Sequence, residues 1–141
     1  MSRFLLSRRV AVVLLVVAGC RRADARCAYC GMKIDAASPW RCALELADGH
    51  RIEYDSPRCA LLAWRTGAVD PRTVLVQDYY DRVWRTGEEV LFVASSDVIG
   101  PMGADVVPVD RARARQFASE HLGTRPLALA AVTLELLREL H

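Results

Sequence analysis

An apolar run near the N-terminus decides how much of this chain is available to fold. The run spans residues 10–19, follows a start that contains three arginines, and ends in two small residues. This order of features is typical of a secretory signal. The run is also too short to cross a bilayer, which needs roughly 20 apolar residues. We therefore predict that residues 1–19 are removed as a signal peptide.

Cys20 follows the run directly and suggests a lipid anchor. The segment Val17-Ala18-Gly19-Cys20 resembles the bacterial lipobox, whose cysteine is acylated and becomes the first residue of the mature protein. The polar residues 20–26 would separate the lipid from the fold. Because Arg21 and not an aspartate comes next, the resemblance favours the outer membrane over the inner one, with the protein facing the periplasm. A secreted protein with a chance cysteine and an uncleaved membrane anchor are the alternatives.

Removal of the signal changes the charge balance. Of the 141 residues, 122 remain, and they carry 16 basic and 17 acidic side chains. That length suits one modest domain or two very small ones. No basic face remains to neutralise phosphates, so nucleic acid is not expected as a partner. No nucleophile elbow, phosphate loop or metalloprotease motif occurs, and we do not expect an enzyme.

The mature chain repeats one order of strand and helix signals. Each half shows two strands, a helix that starts after an aspartate and stops near a glycine, and a further strand. The first half has strands at 41–47, 50–54 and 74–76, a turn at 48–49, and a helix that Asp55 caps, that runs to about Arg65 and that Gly67 terminates. The second has strands at 90–94, 106–109 and 126–132, a helix from about Arg111 to His121 between the Asp110 cap and Gly123, and a last helix capped by Thr133 and ending at Leu140.

This order predicts an α+β fold of two tandem ββαβ units, in a small two-lobed protein. Residues 27–80 would form the first unit and residues 81–141 the second. For residues 127–140, one continuous helix is the alternative, because leucine, alanine and glutamate all favour helix.

The candidate chemistry lies in the segment Cys27-Ala28-Tyr29-Cys30-Gly31-Met32. A Cys-x-x-Cys pair can share a metal ion or form a disulfide. Met32 adds a thioether, and thiolate and thioether together are the ligands that soft ions such as Cu(I) prefer. Gly31 would let the loop fold tightly around a small ion. In the second unit, Met102 lies between Gly-Pro and Gly, on a constrained surface turn, and could complete the site. A methionine that fills a core gap is the alternative.

Taken together, these motifs resemble the NosL family of copper-binding lipoproteins. The resemblance rests on Cys30-Gly31-Met32, on Pro101-Met102-Gly103, on the Asp-Gly hairpin, and on Asp78-Tyr79 before Trp84. It implies two similar ββαβ units and a metallochaperone that passes Cu(I) to an exported apo-metalloenzyme, in this family nitrous oxide reductase. The implied metal ligands are Cys30, Met32 and Met102.

A second resemblance changes the expected ligand set. Heavy-metal domains of the YHS and TRASH type also place a Cys-x-x-Cys-Gly-Met loop before a hairpin, and a further cysteine opens the next helix. Cys59 has that position here, so this resemblance implies Cys27, Cys30 and Cys59 as ligands. At a helix N-terminus, the thiolate of Cys59 would be favoured by the helix dipole.

Three other roles for the cysteines stay open at this stage. Cys27 and Cys30 could form a structural disulfide, because exported proteins meet oxidising conditions. They could also cycle in a thiol–disulfide redox protein. Cys42 would give four cysteines with Cys27, Cys30 and Cys59, enough for a zinc-stabilised interaction module. Because Cys42 lies within the first predicted strand, we expect it to be buried and inert.

Overall fold

The computed structural model of the protein describes residues 24–141. The predicted signal peptide and the lipidation of Cys20 lie outside the described residues. Within the described part, none of the helices combines the length and the apolar composition that crossing a membrane requires.

The first sheet contains four antiparallel strands in the order β2-β1-β3-β4. They are β1 (Cys42–Glu45), β2 (Arg51–Tyr54), β3 (Thr73–Gln77) and β4 (Trp84–Thr86). Helix α1 (Pro57–Arg65) joins β2 to β3 and buries one face on the sheet, so the predicted ββαβ order is present. The sequence reasoning missed β4.

The second half contains two separate two-stranded sheets. Strand β5 (Val90–Val93) pairs with β8 (Val107–Asp110) on one side and bridges Leu127 on the other. Two short strands, β6 (Ile99–Gly100) and β7 (Gly103–Ala104), form a hairpin between them, and α2 (Ala114–Glu120) follows β8. The α+β class is confirmed.

The end of the chain differs from its prediction. The expected strand at 126–132 is wrong beyond Leu127, because residues Leu129–Ala131 turn into a 3₁₀-helix. Helix α3 (Leu134–Glu139) starts at Thr133, whose hydroxyl accepts a hydrogen bond from the Leu136 amide. A continuous helix over 127–140 is therefore excluded, whereas the Thr133 cap is confirmed.

Both predicted aspartate caps are wrong. The side chain of Ser56 caps α1, and this leaves Asp55 outside the helix. In the second half, the Asp110 carboxylate accepts from the Ala112 amide and stabilises a turn, but regular helix begins only at Ala114. An aspartate can stabilise a turn and a helix start by the same hydrogen bond, so the sequence does not separate the two.

Gly123 is required for packing and not for the helix stop that was predicted. The left-handed residue after α2 is Leu122, with φ of 56°. A Cβ on Gly123 would lie 2.3 Å from Cγ1 of Val93, far inside contact distance. The glycine therefore lets the chain pass directly over β5.

The larger of two hydrophobic clusters extends through both halves. Leu44 and Leu61 of the first half pack in the same cluster as Phe92 and Leu137 of the second, and all four side chains are fully buried. Cys27 and Cys59 lie at the edge of this cluster. The candidate site is therefore supported by packing from residues of both halves.

Candidate metal site

The loop from Cys27 to Met32 closes on itself through backbone hydrogen bonds. The Gly31 amide donates to the Cys27 carbonyl at 2.9 Å, and the Cys27 amide donates to the Met32 carbonyl at 2.8 Å. Gly31 has φ of +76°, a conformation that side chains other than glycine rarely adopt. The prediction that Gly31 makes a tight loop is confirmed.

A backbone hydrogen bond holds this loop against the first sheet. The Ala28 amide donates to the Glu53 carbonyl of β2 at 3.2 Å. The chain leaves β2 through Asp55 and enters α1, where Cys59 lies in the first turn. A short strand-to-helix corner therefore brings Asp55 and Cys59 to the cysteine loop.

Four side chains converge at this corner: Cys27, Cys30, Asp55 and Cys59. One donor atom from each, three sulfurs and a carboxylate oxygen, lies within 4.8 Å of all the others. We call this group the cysteine–aspartate cluster. Cys27, Asp55 and Cys59 are buried, and Cys30 is partly exposed. The sequence prediction that Cys27, Cys30 and Cys59 meet agrees with this arrangement.

The cluster has an unused acceptor that fits a cation. Oδ2 of Asp55 accepts a hydrogen bond from the Cys30 thiol at 3.4 Å, whereas its buried Oδ1 has no hydrogen-bond partner within the described chain. A buried carboxylate oxygen without a partner costs free energy unless a hydrogen-bond donor or a cation satisfies it. All four cysteines in the described part are free thiols. Three sulfurs and an oxygen at this spacing can surround one metal ion.

Sequence reasoning missed Asp55, which it used as a helix cap. The signal that could have revealed it is Ser56, the next residue and an equally good capping side chain. Because Ser56 accepts from the Cys59 amide, the carboxylate of Asp55 is free to turn toward the sulfurs.

The pKa values of Cys59 and Cys30 are raised in the metal-free protein, whereas a lowered value was predicted for Cys59. Burial, followed by the nearby Cys27 and Asp55, raises the pKa of Cys59 well above its usual value. The expectation that the helix dipole lowers it is therefore wrong for the metal-free protein. Burial also raises the pKa of Cys30, against a hydrogen bond from the Met32 backbone. A bound cation would reverse this balance, because metal binding to thiols releases their protons.

Met102 lies beside the cluster, at the turn between β6 and β7. A surface depression of about 330 Å³ is lined by Tyr29, Cys30, Arg58, Cys59, Leu62 and Met102. Met102 is 45% exposed, which excludes the alternative of a core gap-filler. Met32 is 43% exposed and is not among these lining residues. Met102 therefore lines the same depression as Cys30 and Cys59, whereas Met32 does not.

The remaining candidate ligands lie elsewhere. Cys42 is fully buried in β1 and does not belong to the four-residue cluster, and burial raises its pKa. Of the described histidines, His121 pairs with Asp97 at 2.9 Å, and none is in the cluster. The four-cysteine zinc site that includes Cys42 is therefore not formed.

A second buried carboxylate, Asp105, lies behind the cluster. It follows β7, is 1% exposed, and accepts through Oδ1 from the amides of Arg58 and Val106, each at 2.8 Å. Burial raises its pKa from 3.8 to about 6, and a hydrogen bond from Ser56 only partly opposes this. Ionised Asp105 therefore weakens the fold.

We expect Asp105→Asn to stabilise the protein at neutral pH by about 3 kcal/mol, the equivalent of roughly two pKa units. Asparagine keeps the oxygen acceptor and removes the buried charge. The advantage should shrink as pH falls through about 6 and vanish below about pH 4, where Asp105 is protonated in both the folded and the unfolded state. Urea unfolding across this range measures the difference. A pH-independent difference would contradict the prediction.

The sequence and the fold both match known proteins. The model of the NosL family matches residues 21–137 of the sequence. The chain belongs to the NosL family. The solved structure of the copper chaperone NosL from Shewanella denitrificans shares the fold, with a TM-score of 0.67 and 18% sequence identity. The match covers 78% of this chain and 90% of that one. No curated protein sequence matches the chain.

Proposed function

We propose that this NosL-family protein is a chaperone that holds Cu(I) in the cysteine–aspartate cluster and is not an enzyme. The observation that carries the proposal is the approach of three sulfurs and a carboxylate oxygen to within 4.8 Å of one another. Family membership and the fold shared with a protein described as a copper chaperone support it.

The donor atoms favour a soft ion. Thiolates are the ligands that Cu(I) selects, and the thioether of Met102 borders the same depression. We propose Cys27, Cys30 and Cys59 as ligands of the held ion and Met102 as a further sulfur at its exposed side. Met32, exposed on the loop, stays a proposed ligand because of the family resemblance.

The delivery step and the location are also part of the proposal. We propose that the lipid on Cys20 tethers the protein to the cell envelope, outer membrane before inner, with the site facing the periplasm. From there it would pass copper to an exported apo-metalloenzyme. Nitrous oxide reductase is the proposed recipient because the motifs resemble the NosL family.

The direct test is an anaerobic titration of the reduced protein with Cu(I) against a chromophoric competitor. We expect the protein to withhold one equivalent of Cu(I) from the competitor. The absorbance of the thiols should stop changing beyond that point. If the competitor takes all of the copper at every ratio, the proposal fails.

Zinc is the second candidate, because Asp55 gives the cluster one hard oxygen donor, and sets of three cysteines and one such ligand also suit Zn²⁺. A structural zinc would supply folding energy. In that case the protein would purify with tightly held zinc, and chelation would abolish its circular dichroism signal. An unchanged spectrum after chelation would exclude the zinc-stabilised module.

A thiol–disulfide redox role has less structural support. The Cys27–Cys30 loop precedes the first strand, whereas such exchange motifs are expected at a helix N-terminus after a strand. An insulin-reduction assay tests it, and activity above the buffer blank would favour it over metal binding.

A further inference from the structure

We propose that Asp105 is a positioning residue, which fixes the turn that carries Met102 against the N-terminus of α1 and so against the cysteine–aspartate cluster. The inference rests on the proposed function, because it concerns how the second half of the chain contributes to the same metal site. The contact between Asp105 and α1 can also be tested in the metal-free protein.

Asp105 connects two parts of the chain that are distant in sequence. It follows β7, the second strand of the hairpin with Met102 at its tip. Its Oδ1 accepts from the Arg58 amide in the first turn of α1 at 2.8 Å. A carboxylate from the second half thus satisfies an amide that the helix itself leaves without a partner.

A second bond joins the same two segments in the opposite direction. Nη1 of Arg58 donates to the carbonyl of Ala104 at 3.1 Å. In the first bond a backbone amide of α1 donates to a side chain of the second half, and in the second bond a side chain of α1 donates to a backbone carbonyl. Together the two bonds fix the distance and the orientation of the hairpin relative to α1. Arg58 also lines the depression that contains Met102.

The connection continues to a proposed ligand. Ser56 neighbours the Asp105 carboxylate, and its hydroxyl accepts from the amide of Cys59 at 3.4 Å. Only the side chain of Ser56 therefore separates Asp105 from the backbone of Cys59. A displacement of the carboxylate would affect both the Met102 turn and the first turn of α1.

The hairpin is built to accept this contact. A Cβ on Gly100 would lie 3.1 Å from Oδ2 of Asp105, so the glycine lets the strand pass close to the carboxylate. Oδ2 itself has no hydrogen-bond partner among the described residues. A buried carboxylate with one unsatisfied oxygen is a poor choice for stability alone, and a positioning role accounts for its presence.

The metal-free test compares Asp105→Ala with Asp105→Asn, which keeps the oxygen acceptor. In Asp105→Ala we expect faster hydrogen exchange of the Arg58 amide and a shift of the Met102 methyl resonance toward its value in an unfolded peptide. Asp105→Asn should retain the wild-type signals. An Asp105→Ala protein that is folded and has unchanged Met102 and Arg58 signals would overturn the inference, whether or not the protein binds copper.

The copper test is a double-mutant cycle on Cu(I) affinity with Met102→Ala. Asp105→Ala alone should weaken binding about 10-fold, the lower end for loss of a supporting contact. In the Met102→Ala background its effect should fall to less than about 3-fold, because the turn then carries no sulfur to position. Full additivity of the two substitutions would overturn the inference, and so would an unchanged affinity in Asp105→Ala.

A destabilised control separates positioning from general loss of stability. Val109→Ala removes buried methyl groups from β8 without touching the α1 contact. We expect it to lower the unfolding free energy and to leave the Cu(I) affinity of the folded protein unchanged. If it weakens copper binding as much as Asp105→Ala does, Asp105 acts only through stability. A wild-type protein that does not bind Cu(I) would contradict the proposed function, and the metal-free signals would still decide on Asp105.

Discussion

Cys59→Ser is expected to weaken Cu(I) binding by more than 100-fold. The sulfur of Cys59 lies within 4.8 Å of the other three cluster donors, and its side chain is only 3% exposed. Serine supplies a hard, neutral oxygen that a soft ion does not select. Loss of a partner outside the ligand set costs about 10- to 100-fold in metal affinity, and loss of a direct ligand should cost more. Competition titration of the reduced variant gives the affinity.

Cys42→Ser is the matched control, since Cys42 is also a buried free cysteine of the first half. It is not a member of the cluster, so its replacement should leave Cu(I) affinity within about 3-fold of wild type, even where stability falls. Equal losses in the Cys42 and Cys59 variants would mean that the assay reports damage to the fold. Unchanged affinity in Cys59→Ser would remove Cys59 from the ligand set.

Asp78→Ala is expected to lower the free energy of unfolding by about 4 kcal/mol, among the largest effects of a single substitution. The carboxylate is fully buried and accepts from the amides of Tyr80 and Asp81 at 2.9 Å each, and also from the Asp110 amide. It pairs with Arg113 at 3.2 Å as well. Alanine would leave these partly buried donors without an acceptor, and each unsatisfied donor costs about 1–3 kcal/mol when water cannot reach it.

Asp81→Ala tests whether the position of the charge matters. Asp81 is nearby but more exposed, and it pairs with Arg85 at the protein surface. Exposed pairs contribute about 0–1 kcal/mol, so this variant should lose about 1 kcal/mol or less. Urea unfolding of both variants gives the comparison. Similar losses in the two would show that the buried hydrogen bonds of Asp78 add nothing beyond surface charge.

The fold was predictable where hydrophobic pattern and turn residues agree. Alternation around the Asp-Gly turn is sufficient for the hairpin of β1 and β2, and the apolar run at 90–94 for β5. Strand β4 was missed because Trp84-Arg85-Thr86 has no apolar alternation, and it is a strand only because β3 offers a free edge. The predicted strand after Leu127 failed because its leucine and alanine residues favour helix over strand. They form a 3₁₀ turn that buries Leu129 in the core.

The site was predictable where its parts are close in sequence. The Cys-x-x-Cys spacing and Gly31 specify the loop before any tertiary contact is known. Asp55 could not be found in this way, because its role depends on Ser56 taking the cap and on β2 carrying it to the sulfurs. The contact of Asp105 could not be predicted from local sequence either, because its partner Arg58 lies 47 residues away in the chain. Local patterns reveal which residues can bind, and long-range packing determines which of them meet.

The donors of the cluster differ in burial, and this difference would set the order in which their bonds to a held ion are exchanged. Cys30 opens on the depression, whereas Cys27 and Asp55 are buried behind it. In the chaperone that we propose, a donor atom of a recipient protein would approach from the Cys30 side and replace that bond first. The bond to the buried Cys27 would break last, when the recipient already holds the ion. Handover would then proceed by associative exchange, without release of the ion into solvent.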